Sequence, residues 1–209
     1  YRISSIEPNL LEAPLIDFVA DSQEFQPHFH IPLQSGSDAV LSAMRRRYRT
    51  DLYRDRMAHI VDRMPEAGIG IDVIVGFPGE TELEFAKTRD FLLEAPASYL
   101  HVFTYSERPK TTALRIDEVV PVPERKARNK VLTQVSLKKQ WAHAARFEGG
   151  TRPVLLEGEV DEAGSRSGYT PEYVRVAVAD SAKLAPGTVL DVTLGGFREG
   201  RVQGTLVSD

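Results

Sequence analysis

The sequence predicts an α/β fold: four βα units around a parallel sheet, followed by a small all-β module. Three observations carry this. Short apolar runs alternate with helical patterns through the first half, as in repeated βα units. The run Ile71-Asp-Val-Ile-Val-Gly76 is almost continuously apolar and β-branched, which suits a strand covered on both faces. Beyond about residue 150 the texture changes to short strand-like runs broken by glycine and acidic turns.

In chain order, the expected strands of the first part are Arg2 to Ile6, Pro27 to Ile31, Ile69 to Gly76 and Tyr99 to Tyr105. Between them, Leu11, Leu15, Ile16 and Val19 share one helical face, and Ser37 is placed to cap a helix carrying Val40, Leu41 and Met44. Helices over Asp51 to Met64 and Thr81 to Leu93 follow. Thr81 with Glu84 three residues on forms a capping-box pattern, so the turn Gly76-Phe-Pro-Gly-Glu80 ends a strand and launches a helix. A polar turn and an apolar stretch at Val119 to Val122 lead into a long helix, Pro123 to Phe147, stopped by Gly149-Gly150. Strands are then expected over Pro153 to Val160, Tyr173 to Val178, Val189 to Leu194 and Arg201 to Val207, forming a small barrel or sandwich. The domain reading is 1–120, a connecting helix 121–150 and a β module 151–209. Four βα units leave open edges, so the sequence is expected to begin inside a domain, and exposed edges favour self-association.

With 209 residues, 42% hydrophobic, the chain can bury a substantial core. It has no apolar run long enough for a membrane span and no signal-peptide pattern, which makes the cytoplasm the expected compartment. There is no cysteine, so disulfides, thiolate nucleophiles and iron–sulfur ligation by these residues are excluded. Net charge is −4, so any nucleic-acid surface must be a local patch. Between Pro121 and Arg152 eight basic residues face only two acids, whereas Thr151 to Asp209 carries six basic residues and nine acids. Taken alone, a basic helix of this kind reads first as a solvated face, with phosphate binding as the alternative that other clues must support.

Several segments have the residue types of a site. His28-Phe-His30-Ile-Pro-Leu-Gln34-Ser35-Gly36-Ser37 sets a strand end against a polar turn and a helix start, whose N–H groups suit an anion. His28 and His30 share a strand face and could pair on a metal, but no third ligand is evident, so no metal site is assigned. Asp72 interrupts an apolar strand, and a buried carboxylate is costly unless partnered, which suggests either a site or an internal pair. Gly76 and Gly79 permit close approach of a ligand or simply make the turn. Arg45, Arg46, Arg47 and Arg49 around Tyr48 offer guanidiniums and a ring for phosphate and base contact.

Taken in order, Arg2-Ile-Ser-Ser-Ile-Glu-Pro8, the His28 to Ser37 segment with Met44-x-Arg-x-Tyr48, Asp72 to Thr81, and His101-Val-Phe-x-Tyr-Ser106 resemble the methylthiotransferase branch of radical-SAM enzymes. The likeness covers roughly residues 1–115. The remainder resembles the TRAM module of that branch, and Gly168-Tyr-Thr-x-x-Tyr173 is most similar to threonylcarbamoyladenosine tRNA methylthiotransferases.

The resemblance implies a partial radical-SAM TIM-like barrel plus a TRAM-like barrel, with S-adenosylmethionine and two 4Fe-4S clusters in the intact enzyme. None of the clusters is ligated by this chain, which is expected to be inactive alone. It further implies a cofactor pocket from Gln34, Ser35, Asp72, the Val75-Gly76 backbone, Val102, Phe103 and Tyr105. No catalytic residue is assigned. The implied partner is a tRNA anticodon stem-loop, tracked by Arg45, Arg46, Arg47, Arg49, Arg125, Lys126, Arg128, Lys130, Lys138 and Lys139. Radical cleavage of the cofactor would abstract hydrogen from the base carbon that receives the methylthio group, the cofactor supplying the hard chemistry and the protein the positioning. Two alternatives stand beside this: a methylthiotransferase acting on an aspartate of a ribosomal protein, and a non-catalytic α/β scaffold with a β adaptor.

Overall fold

The computed structural model describes residues 1–207. Its first part holds a three-stranded parallel sheet, β1 (His28–His30), β2 (Gly68–Val75) and β3 (Tyr99–Thr104), in the order β1-β2-β3. Helices α1 (Ala13–Asp21), α2 (Asp38–Ala43), α3 (Thr50–Arg63) and α4 (Glu82–Glu94) occupy the crossovers. Ser37 caps α2 by accepting from the Val40 N–H, and Thr81 caps α4 by accepting from the Glu84 N–H, as their hydroxyls predict. The expected strand at Arg2 to Ile6 is reduced to one parallel bridge, Ile3 to Phe29, flanked by hydrogen bonds from His30 N–H to the Ile3 carbonyl and from Ile6 N–H to the His30 carbonyl. Pro8 offers no donor to continue that ladder.

Helix α5 (Val122–Ala145) follows a 3₁₀ turn at Thr112–Arg115. It ties two cores together. Leu132 and Val135 join the first, built on Phe29, Ile69, Ile71, Val73, Val75, Tyr53 and Leu92. Ala144 near its C-terminal end, with Phe147 just beyond, enters the second, built on Val154, Leu156, Val176, Val178, Val192 and Val202. Ser136 on α5 both donates to the Leu100 carbonyl and accepts from its N–H, 2.9 Å each way, fixing the helix to β3.

The second core fills a closed barrel of five strands: β4 (Thr151–Val160), β5 (Arg166–Tyr169), β6 (Arg175–Val178), β7 (Val189–Arg198) and β8 (Arg201–Leu206), in the order β4-β5-β6-β8-β7. Sequence reading missed β5 because Arg-Ser-Gly-Tyr has no apolar alternation; the Gly168 position is pressed against the Leu155 carbonyl and Val154, where a Cβ would lie 2.6 Å from each. Tyr173, expected in a strand, instead takes φ 67° in the turn before β6. Among the described residues no helix is long and apolar enough to cross a membrane.

Candidate functional site

Period-two alternation gives the parallel sheet two unlike faces. Ile69, Ile71, Val73 and Val75 of β2 are fully buried in the core. The opposite face carries His28, His30, Gly70, Asp72, Ile74, Tyr99, His101 and Phe103, and from Asp72 onward it is open. Asp72 and His101 are register partners on β2 and β3. The Asp72 Oδ1 accepts from His30 Nε2 at 2.8 Å and from His101 Nδ1 at 3.2 Å. The side chain that interrupts the apolar strand is therefore half-buried and doubly partnered.

Deeper on the same face His28 and Tyr99 share a 2.9 Å hydrogen bond. Burial pulls the His28 imidazole down to about 3, keeping it neutral, and pushes the Tyr99 hydroxyl well above its ordinary range. His28 is thus held by Tyr99, away from Asp72. The Tyr99 ring lies where a Gly70 side chain would be, 2.2 Å from an ideal Cβ, so only glycine fits. Tyr99, Tyr169 and Tyr173, with His143 and Arg175, also line a cavity of about 210 Å³ between the sheet, α5 and the barrel. Sequence reasoning missed this cluster, whose only linear trace is aromatic residues in unrelated strands and turns.

At the carboxyl end of the sheet a groove of about 490 Å³ is walled by Ile74, Phe77, Phe103, Tyr105 and Arg108. Phe77 and Tyr105 meet edge to face at 5.3 Å, and the Arg125 guanidinium lies 5.3 Å from the Tyr105 ring. The Tyr105 hydroxyl is buried without a hydrogen-bond partner among the described residues, which leaves a polar group available in an otherwise apolar wall. Gln34, four residues past β1, forms an isolated parallel bridge to Val73 and lies in the left-handed region, φ 68°; its N–H donates to the Asp72 carbonyl and its carbonyl accepts from the Ile74 N–H, both at 2.9 Å. Strain of this kind concentrates at functional sites.

Of the expected pocket residues, Phe103 and Tyr105 line this groove; Asp72 lies on the same face of β2 two residues before Ile74, opposite His101, and Gln34 reaches β2 through its main-chain hydrogen bonds to Asp72 and Ile74. Ser35 is fully buried, exchanging a hydrogen bond with Thr88 on α4. Val75 is enclosed in the core, and Val102 packs on the core side with its carbonyl taken by Asn129. Gly76 makes its turn at φ 77°, but a Cβ there would meet the Arg125 stem at 2.3 Å, so the close approach is by Arg125. The Gln-Ser-Gly-Ser turn offers no anion cradle, because the N–H groups of Ser35, Gly36 and Ser37 already donate to Leu33 O, Thr88 Oγ1 and Ser35 Oγ.

The basic residues divide in the same way. Arg125 and Arg128, expected at the RNA surface, are buried: Arg125 holds the carbonyls of Val120 and Tyr105 and the Glu107 carboxylate, and Arg128 holds Glu80, Glu82 and Glu124. Lys139 donates to the Leu93 and Ala95 carbonyls at the end of α4, and burial lowers its pKa. Arg46 pairs with Glu7 at 2.8 Å, and Tyr48 is buried, donating to the Pro32 and Leu33 carbonyls, so it cannot stack on a base. Arg45, Arg47, Arg49, Lys126, Lys130 and Lys138 remain exposed.

Comparison with known proteins adds to this geometry. The family model of the radical SAM superfamily matches residues 3–92. The chain is 38% identical over 180 residues to the threonylcarbamoyladenosine tRNA methylthiotransferase of Bacillus subtilis, covering 84% of this chain and 40% of that protein. It is 34% identical over 206 residues to the enzyme of the same name from Rickettsia prowazekii, covering 99% and 47%. A tRNA-2-methylthio-N(6)-dimethylallyladenosine synthase of Salinispora arenicola is 36% identical over 200 residues, covering 92% and 40%. The chain thus spans less than half the length of these curated relatives. Among solved structures, coproporphyrinogen III oxidase (HemN) from Escherichia coli superposes with a TM-score of 0.53 at 22% identity over 66% of this chain and 32% of its own, a likeness of fold alone.

Proposed function

Because the chain belongs to the radical-SAM methylthiotransferase family, we propose that it serves in methylthiolation of tRNA, on threonylcarbamoyladenosine beside the anticodon, with S-adenosylmethionine as cofactor. The observation that carries this reading is the groove at the carboxyl ends of the parallel strands, the end where α/β folds bind ligands. Its apolar wall of Ile74, Phe77 and Phe103 with the orphaned Tyr105 hydroxyl fits a purine ring that needs one hydrogen-bond partner. Phe103 and Tyr105 would hold the adenine, and Gln34 and Asp72 would meet the polar end of the cofactor. Val75, Gly76 and Val102 contribute through the main chain or through packing behind it. Bound, the cofactor supplies the radical chemistry. The clusters that drive it would be ligated outside these cysteine-free residues, and the 209 residues alone are inactive on this reading.

For the RNA, Arg45, Arg47, Arg49, Lys126, Lys130 and Lys138 supply phosphate contacts, and the target base must leave its stack to reach the groove. The small barrel, read as a TRAM-like module at 151–209, braces the RNA beside it, the sheet domain at 1–120 carries the groove, and 121–150 links them. The setting is cytoplasmic on this reading.

The test is nucleoside mass spectrometry of tRNA from cells deleted for the gene. Methylthiolated threonylcarbamoyladenosine should disappear, return with the intact gene, and fail to return with a Phe103→Ala, Tyr105→Phe version. Unchanged nucleoside content in the deletion strain, or full rescue by the double variant, overturns the proposal.

A further inference from the structure

His30 and His101 have no assigned role in the function proposed above, yet the sheet brings both to one carboxylate. His30 lies on β1, Asp72 on β2 and His101 directly opposite Asp72 on β3, so three adjacent strands present their side chains on one open face. The nitrogen-to-oxygen distances are 2.8 Å and 3.2 Å, and all three donor atoms lie within 4.8 Å of one another. Ligand atoms around an ion at ~2.0–2.1 Å stand roughly 2.9–3.4 Å apart, as the edges of an octahedron or tetrahedron. The two edges through Asp72 fall near that range without any backbone movement.

We propose that His30, Asp72 and His101 form a binding site for one divalent transition-metal ion on the open face of the sheet. Two imidazoles and one carboxylate select ions such as Zn²⁺, Co²⁺ or Fe²⁺ over Mg²⁺ and Ca²⁺, which take oxygen ligands. Three protein ligands on one triangular face leave the other positions toward the open side, the arrangement of sites that bind a further ligand. Entry is direct, since His101 is exposed. The Tyr99 ring, 6.3 Å from His30 and 5.1 Å from His101, packs beside both imidazoles. His28, the other half of the His-x-His pair, is excluded by its bond to Tyr99. Asp72 gives one oxygen to the ion and keeps the second for the polar end of the cofactor.

The experiment is titration of the tag-free chain with Co²⁺, read by its absorption spectrum, and with Zn²⁺ in competition. No thiolate competes, since the chain has no cysteine, and neither S-adenosylmethionine nor RNA is present, so the outcome is independent of the proposed function. The expected result is one saturable site per chain. His101→Ala and Asp72→Asn should each weaken it by at least about tenfold, a loss that even changes behind a ligand produce. His59→Gln, which removes a His–Asp pair lacking a third donor, should leave it unchanged. No saturable binding, equal affinity in His101→Ala, or equal weakening by His59→Gln overturns the proposal. His101 is exposed, so its variant decides the matter even if Asp72→Asn fails to fold.

Discussion

Replacing Arg128 by Met separates an internal strut from an RNA contact. The Arg128 side chain is 4% exposed and donates to the Glu80 carboxylate at 2.7 Å and to the Glu80 carbonyl at 2.8 Å. The Glu80 side chain is wholly enclosed; its Oε2 also accepts from the Gly76 N–H at 2.6 Å, and its Oε1 has no partner among the described residues. Met fills much of the space left by the arginine stem but leaves a buried carboxylate without its cation. Removing one member of such a pair costs about 3–5 kcal/mol. At roughly 2–4 °C per kcal/mol for a chain of this size, Tm should fall by roughly 6–20 °C.

The loss has a pH signature. Burial already pushes the Glu80 carboxyl above its ordinary value, and removing Arg128 pushes it further. A carboxyl raised in the folded state contributes stability that is fully present below its unfolded pKa and lost as pH rises through the folded one. The deficit of the variant should therefore be smallest near about pH 4 and grow through neutrality, where the unpaired group must ionise or stay protonated at a cost. Urea denaturation followed by circular dichroism at several pH values measures it. A cost under about 1 kcal/mol above neutral pH, or one that does not vary with pH, would refute the reasoning. An RNA-contact role would instead lower RNA affinity and leave the urea midpoint in place.

Other outcomes follow from the same structure. Gly70→Ala would drive a Cβ into the Tyr99 ring, 2.2 Å away, and should cost about 1–3 kcal/mol by urea titration, with the His28–Tyr99 bond lost; a neutral effect would show that the ring moves freely. His28 is held neutral with its pKa pulled down to about 3, so the unfolded chain takes up the proton first and stability falls as pH drops below about 6.5. At about pH 5 this single group should cost ~2 kcal/mol, and His28→Gln should flatten that part of the stability–pH curve. Changing Lys126, Lys130 and Lys138 together to Gln should reduce the slope of log affinity against log salt for an anticodon stem-loop by about 2, at ~0.7 per contact. An unchanged slope would remove α5 from the RNA surface.

What could be read from the sequence was whatever local chemistry dictates. The β-branched run of β2, the caps at Ser37 and Thr81 and the long helix ahead of Gly149-Gly150 each follow from short-range rules, and each is present in the structure, although the helix closes at Ala145 and a turn separates it from the glycines. The family was also legible, because the ordered segments from Arg2 to Ser106 lie on the strands and turns that the fold uses. The strand β5 was not, since Arg-Ser-Gly-Tyr is held by barrel closure and not by its own pattern.

Only the tertiary structure decided which polar residues face a ligand and which face the protein. The sequence presents Arg125, Arg128, Lys126 and Lys130 as one basic helix, but rotation about α5 buries the first two against Tyr105, Glu107 and Glu80 and leaves the lysines in water. It presents His30, Asp72 and His101 as three separated positions, and parallel register places them on one carboxylate oxygen. Spacing along a strand fixes the face of a side chain, but the partner across the sheet depends on crossovers that bring residues far apart in the chain to the same height.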